Sequence, residues 1–322
     1  MKVSILGIGA FGIALTKIIK KDIKISMWTN FEDELKSIEL KRENSVVLPD
    51  VKIDSKIELT TDMKKSVKNA DVIFIAVPAV AVREVSNLLK EYITGEQTIC
   101  ILTKGIEKTT NMFMLDIVKE VIVTDNICVL AGPSFAIDVA NGGNIGLTLA
   151  SENDESKYKI ESLIKETNIC ITKTSDVIGV EISSAIKNVF AIICGMVEGR
   201  RESDSTRAAV LTVLLNDFRL AMGVLGGRET TIYSFAGIGD FLLTCMCSKS
   251  RNYTFGKYLG QGMNLEEALN SMHVKTIEGL YTLDAAYDIL KKKQIKINSI
   301  TLIYDVIYNN RKVENLLKEI WS

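Results

Sequence analysis

Two groups of residues carry chemistry by type and spacing. The first is Gly7-Ile8-Gly9-Ala10-Phe11-Gly12, directly after the apolar run Val3 to Leu6 and opening a helical stretch that continues through Leu15 to Ile19. Gly7 permits a tight turn, Gly9 lets the backbone approach a pyrophosphate, and Gly12 lets helix and strand pack closely. The helix N-terminus then offers amide donors and a positive dipole to the anion, which is the chemistry of dinucleotide binding. The bland alternative is an ordinary glycine-rich turn. The second group lies in Ile178 to Glu198, apolar nearly all round, as a helix buried on every side would be. Glu181, Ser184, Lys187 and Asn188 fall on one face of that helix. A lysine and an amide are costly to bury unless they meet a partner or a ligand. Lys187 is therefore a functional candidate, against the alternatives of a structural ion pair or of snorkelling to the surface.

Further candidates sit in loops at expected element ends: Thr103-Lys104-Gly105, Gly132-Pro133-Ser134-Phe135-Ala136, Gly237-Ile238-Gly239-Asp240, and Ser248 to Tyr253. Lys104 follows a strand in the half that carries the glycine motif, where strand carboxyl ends face the ligand crevice. Ser250, Arg251 and Asn252 combine a planar charged fork with neutral donors suited to phosphate, although such clusters are commonly solvated loops. At the tip of the second strand, where an acid would bind a ribose hydroxyl, the sequence reads Trp28-Thr29-Asn30, and Glu32 and Asp33 fall beyond it. The charge logic separating NAD from NADP is silent here, so the preference stays open. Ala76-Val77-Pro78 ends another strand where a dinucleotide would pass, and Pro78 also suits a strand exit on structural grounds.

The elements that must position these groups change texture once along the chain. From Lys2 to about Thr174, short apolar runs alternate with amphipathic stretches, the signature of βαβ units around a parallel sheet. The expected strands are Val3 to Leu6, Ile23 to Trp28, Val72 to Val77, Thr98 to Leu102, Ile127 to Ala131 and Gly146 to Ala150. After about Asp176 long helical patterns dominate: Ile178 to Glu198, Ser205 to Met222, Leu265 to Ser271 and Leu280 to Lys293. The expected fold is an α/β Rossmann domain, residues 1–175, followed by an all-helical substrate domain, residues 176–322. A length of 322 residues suits two domains.

Composition removes several function classes. Lys plus Arg is 39 against 40 Asp plus Glu, so no sequence-wide field draws nucleic acid or an anionic membrane, and an anionic ligand must meet a local cluster. The apolar start resembles a secretion signal, but Lys17, Lys20 and Lys21 follow it in place of a small-residue cleavage site. The runs Val72 to Val82 and Val189 to Val197 are shorter than a membrane span. The expectation is a soluble, cytoplasmic protein whose six scattered cysteines are reduced and buried. His273, the single histidine, rules out two-histidine metal sites and reads as structural; no metal is expected. No G-x-S-x-G elbow, P-loop or H-E-x-x-H supports a hydrolase, kinase or zinc protease.

Taken in order, these pieces resemble the soluble, nicotinamide-dependent glycerol-3-phosphate dehydrogenases from Lys2 to about Tyr281. The likeness rests on Gly7 to Gly12, Asn44 to Pro49, Ala76 to Pro78, Lys104-Gly105, Gly132 to Ala136, Glu181 with Lys187-Asn188, Gly239-Asp240, Ser250-Arg251-Asn252 and Glu278-Gly279. It implies a reaction between dihydroxyacetone phosphate and sn-glycerol 3-phosphate with NAD or NADP. By this resemblance Lys187 is the general acid, Lys104 polarises the same oxygen, and Asp240 orients and charge-balances Lys187. Lys104, Gly132, Ser134, Asn188, Thr244, Ser250, Arg251 and Asn252 would hold the substrate. Gly7, Gly9, Ala10, Phe11, Gly12, Asn30, Pro78, Lys104, Ala136, Arg251 and Glu278 would hold the cofactor. The partner is a triose phosphate, and the resemblance leaves a homodimer open.

Two departures stand out: Ser205 where the family usually has asparagine, and Asp138 where glutamate is common. They bear on substrate affinity more than on reaction type. Two other readings survive the sequence. One is a related two-domain dehydrogenase of hydroxy or sugar acids, since Ser250 to Asn252 could also bind a carboxylate. The other is a non-catalytic NADH-binding redox sensor, disfavoured because sensing needs no proton donor such as Lys187.

Overall fold

The computed structural model describes residues 1–164, 168–309 and 311–321. The chain forms two compact units, one of Met1–Lys104 with Met114–Val177, the other of Gly105–Phe113 with Ile178–Ser322. The excursion Gly105–Phe113 belongs with the helical unit, a departure from a plain division at 175. Its reason is apolar: Ile106 and Phe113 pair as an isolated antiparallel bridge and are buried in the core of the helical residues.

The first unit runs β1 (Lys2–Leu6), α1 (Ala10–Ile18), β2 (Lys24–Trp28), α2 (Glu32–Lys41), β3 (Glu58–Thr60), α3 (Met63–Val67), β4 (Val72–Ile75), α4 (Val82–Lys90), β5 (Thr98–Ile101), α5 (Met114–Val121), β6 (Ile127–Ala131), α6 (Ala136–Ala140), β7 (Ile145–Ala150), α7 (Asp154–Leu163) and β8 (Ile169–Thr174). Among the described residues these strands make one sheet of eight in the order β3-β2-β1-β4-β5-β6-β7-β8, with only β6 and β7 antiparallel. Each expected strand is present within a residue or two. β4, β5 and β6 are buried throughout, because helices cover a parallel sheet on both faces. The sequence reading misses β3 and β8, the two edges. β3 has three residues, and β8 is buried only at its first residue, Ile169, so neither shows the continuous apolar run of a central strand.

Pairing fixes where ligand chemistry can gather. Leu6, the last residue of β1, lies opposite Trp28 of β2 on one side and Ile75 of β4 on the other. The strand order reverses direction at β1, and a doubly wound sheet opens its crevice at that point, beyond the carboxyl ends.

The second unit is helical: α8 (Val177–Gly199), α9 (Asp204–Leu225), α10 (Asp240–Met246), α11 (Arg251–Gly260), α12 (Leu265–Ser271), α13 (Glu278–Lys292), α14 (Asn298–Tyr308) and α15 (Leu316–Ile320). Ser203 and Ser250 cap α9 and α11, and Asn264 with Glu267 forms a capping box on α12, so side-chain oxygens satisfy first-turn amides. α8 and α11 meet through glycines: a Cβ on Gly256 would stand 1.9 Å from the Ile192 carbonyl oxygen, and one on Gly195 would stand 2.0 Å from that of Tyr253. Phe190, Phe218 and Phe241 join α8, α9 and α10 with ring centroids 5.8 to 6.1 Å apart.

Several sequence expectations need correction. α8 and α9 are each long and apolar enough to cross a membrane, although the apolar runs read from sequence looked too short. In α8, 94% of the apolar window is buried, as for a core helix. Cys170 is exposed and Cys247 half-buried, because β8 is an edge strand and Cys247 follows the end of α10. His273 sits exposed after α12 with φ +54°, at a turn.

Candidate active site

In the first unit the glycine motif folds as its spacing requires. Gly7 has φ +116°, and a Cβ there would stand 2.6 Å from the Ala76 carbonyl oxygen. A Cβ on Gly12 would stand 2.4 Å from the carbonyl oxygen of Gly7, so this glycine lets α1 start against β1. Gly9 behaves differently: nothing lies within 4 Å of the place its Cβ would take. Gly9 is also the N-cap of α1 and offers no side-chain cap, so the first amides of α1, at Ala10 and Phe11, meet an open face. Such a cradle fits a pyrophosphate, held by backbone donors and the helix dipole.

The residues around the cradle are tied to it. Asn44, buried, donates its amide to the Ile8 carbonyl at 3.0 Å and to Glu34 at 3.2 Å. The Thr29 hydroxyl donates to the other oxygen of the Glu34 carboxylate. That carboxylate is therefore spent inside the fold, and Asn30 is the exposed residue at the tip of β2. Pro78 is exposed beyond β4, where the Thr103 hydroxyl donates to the Val77 carbonyl at 2.7 Å. Lys104, half-buried, follows β5. Gly132 lies beyond β6 so close to β7 that a Cβ would stand 2.4 Å from the Gly146 carbonyl oxygen; Ser134 donates back to the Gly132 carbonyl at 3.1 Å, and Ala136 opens α6.

In the second unit the chain gathers a buried charged cluster. Lys187, on α8, is 5% exposed, and Asp240, at the start of α10, is 1% exposed. Lys187 Nζ stands 2.6 Å from Asp240 Oδ1 and donates to Thr244 Oγ1 at 2.9 Å. The Thr244 hydroxyl spends its own proton on the Asp240 carbonyl oxygen at 2.6 Å, so it accepts from Lys187. Cys245 places its thiol 4.0 Å from the Lys187 carbonyl oxygen, and burial pushes that thiol's pKa up, which keeps it neutral beside the pair. Asn188 joins Asn252 of α11, whose Nδ2 donates to Asn188 Oδ1 at 3.0 Å, and the Gly279 amide donates to Asn252 Oδ1 at 3.0 Å. Ser250 is committed to capping α11 through the Tyr253 amide, while Arg251 and Glu278 are exposed. Of the face read from sequence, Glu181 is buried and Ser184 turns its hydroxyl back onto the Val180 carbonyl.

The structure thus brings Lys187, Asn188, Asp240, Thr244 and Asn252 together in the helical unit. Lys104, Gly132, Ser134 and Ala136 belong to the sheet unit with the glycine cradle. Sequence reading missed the contributions of Cys245 and of the Gly279 amide. A backbone N–H carries no residue-type signal, and Gly279 was marked only by its place in the Glu278-Gly279 pair.

The chain that carries these two groups of residues is similar to known proteins along its whole length. The NAD-dependent glycerol-3-phosphate dehydrogenase N-terminus matches residues 2–157 and the corresponding C-terminus matches residues 176–318. Glycerol-3-phosphate dehydrogenase (NAD(P)+) of Bacillus subtilis is 32% identical over 325 residues, spanning 100% of this chain and 94% of that protein. Its counterpart in Fusobacterium nucleatum is 31% identical, spanning 99% and 96%. The crystal structure of glycerol-3-phosphate dehydrogenase from Coxiella burnetii superposes with a TM-score of 0.92 at 28% identity, covering 100% of this chain and 98% of that one. With both halves matched in order and the likeness running end to end, this chain belongs to the NAD-dependent glycerol-3-phosphate dehydrogenase family.

Proposed function

We propose that the chain interconverts dihydroxyacetone phosphate and sn-glycerol 3-phosphate with NAD or NADP, supplying glycerol 3-phosphate for phospholipid synthesis in the cytoplasm. The observation that supports this most is the Lys187–Asp240 pair, 2.6 Å long and buried among the helices. A buried ion pair is a poor way to gain stability, so its retention points to chemical use.

The Gly9 cradle and the first amides of α1 fit the cofactor's pyrophosphate. When bound, the reduced nicotinamide supplies the hydride that reaches the carbonyl carbon. Negative charge then builds on the carbonyl oxygen, and in this reading Lys187 gives that oxygen a proton: the N–H bond breaks, its electron pair stays on nitrogen, and an alcohol forms. Asp240 and Thr244 hold the ammonium in orientation before the transfer and receive its neutral form after it. In the reverse direction the neutral amine is the base. The family resemblance gives Lys104 the role of a second positive charge for that oxygen. Arg251, at the first turn of α11, takes the phosphate with Ser250 and Asn252, where the helix dipole also favours an anion. Gly132, Ser134 and Ala136 line the nicotinamide and substrate side, and Asn30, Pro78 and Glu278 complete the cofactor contacts.

The deciding experiment is a substrate panel on the purified protein with NADH and NADPH side by side. Dihydroxyacetone phosphate is expected to be reduced and unphosphorylated dihydroxyacetone scarcely at all; equal rates would sink the phosphate assignment, and turnover of a hydroxy or sugar acid instead would move the chain to that chemistry. Lys187→Met is expected to abolish turnover with cofactor binding retained, and Arg251→Ala to raise the KM for the ketone.

A further inference from the structure

Two helices begin side by side at the carboxyl edge of the sheet, and they treat an anion in opposite ways. Leu6 and Trp28 end paired strands, and the Gly7 amide donates to the Trp28 carbonyl at 2.8 Å, so the turn into α1 adjoins the turn into α2. Neither helix has a side-chain cap: the N-cap residues are Gly9 for α1 and Phe31 for α2. The first turn of α1 contains no acid, which suits the pyrophosphate cradle. The first turn of α2 contains Glu32, Asp33 and Glu34. The positive end of its dipole is therefore already met by the chain's own anions.

These three carboxylates have different surroundings. Glu34 is half-buried and accepts from the Thr29 hydroxyl and from the Asn44 amide. Glu32 is exposed and accepts from the Thr61 hydroxyl at 2.6 Å. Thr61 follows Thr60, the β3 residue opposite Trp28, so this bond holds Glu32 at the strand tips. Asp33 is exposed beside it. Positive charge is scarce in the same stretch: from Thr29 to Lys36 the sequence has those three acids and one base, Lys36. Arg42 lies past the far end of α2 and donates to the carbonyls of Ile53, Asp54 and Ile57.

We propose that the chain selects NADH over NADPH, with Glu32 and Asp33 as the specificity-determining residues that repel the adenosine 2′-phosphate. The proposal rests on the dinucleotide site proposed above and narrows it. In a dinucleotide-binding sheet the turn after the second strand meets the adenosine ribose, where an acid suits a 2′-hydroxyl and an arginine suits a 2′-phosphate. A phosphate monoester brings about 1.5 to 2 negative charges at neutral pH to a turn that offers Asn30 and Phe31 in place of a cation and two exposed carboxylates just beyond them. A hydroxyl brings no charge and can donate to a carboxylate.

Fluorescence titration of the full chain with NADH and with NADPH, without ketone, tests this. At about 10 mM salt, where charges act over about 30 Å, NADPH is expected to bind about tenfold or more weakly than NADH; a smaller gap overturns the proposal. In the double variant Glu32→Gln with Asp33→Asn, the ratio of the two Kd values is expected to shrink about fivefold or more, and a smaller change overturns the assignment to these residues. The wild type gives a second reading that needs no variant to fold. At about 1 M salt, where screening leaves about 3 Å, its ratio is expected to fall about threefold or more, and a constant ratio overturns the electrostatic cause. Selective NADH binding without turnover of dihydroxyacetone phosphate supports this selection while removing the proposed reaction, and binding of neither dinucleotide overturns both.

Discussion

Replacing Asp240 by asparagine removes the counter-ion of Lys187 while keeping the shape of the side chain. The two groups stand 2.6 Å apart with 5% and 1% of their surface exposed, so solvent does little to screen them. At an effective dielectric constant of about 20, Coulomb's law gives roughly 6 kcal/mol of attraction at that distance. Desolvation offsets much of it, and deleting one partner of a buried pair costs about 3–5 kcal/mol because the other charge is left enclosed. At roughly 2–4 °C per kcal/mol, the transition of the helical unit should fall by about 6–20 °C, followed by circular dichroism at 222 nm. Thr244 still accepts from Lys187, which places the expectation at the lower half of that range. The double variant Lys187→Met with Asp240→Leu removes both charges and fills the space with apolar groups. Such replacements are commonly neutral or stabilising, so it should melt within a few degrees of the wild type and yet show no turnover. A single variant that melts within about 2 °C of the wild type would refute the buried-pair energetics. So would a double variant that melts as low as the single one.

Gly7→Ala should weaken NADH binding about tenfold or more in a fluorescence titration, because φ +116° strains any side chain and the new Cβ meets the Ala76 carbonyl; an unchanged Kd would show that the turn can relax. Gly256→Ala should cost about 1–3 kcal/mol in urea unfolding by forcing α11 away from the Ile192 carbonyl, and wild-type stability would mean that the two helices do not pack this closely. The Tyr253 phenol is pushed up to about 12, first by burial and then by Glu198. The folded chain keeps that proton where the unfolded chain, titrating near 10, has lost it, so stability should fall as pH rises from about 10 toward 12. Tyr253→Phe should flatten that decline when urea midpoints are compared at pH 9 and pH 11; an equal decline in both proteins would place its cause elsewhere.

What could be read without coordinates was local in the chain. Strand positions followed from short β-branched runs, because a strand buried on both faces needs no alternation, and Gly7 to Gly12 announced its turn because the three glycines act within six residues. Lys187 drew attention for a similar reason: one ammonium in an apolar helix is a local anomaly whatever it later meets. Family likeness then supplied Asp240 as its companion, which no periodicity could have done.

The tertiary structure alone decided the meetings between distant residues. Lys187 reaches Thr244 across 57 positions and Asn188 reaches Asn252 across 64, distances over which composition and spacing carry no pairing information. The edge strands β3 and β8, the assignment of Gly105–Phe113 to the helical unit and the use of the Gly279 amide are of the same kind. Each depends on which surfaces exclude water together and on a backbone group that every residue but proline possesses, so the side-chain alphabet holds no mark of it.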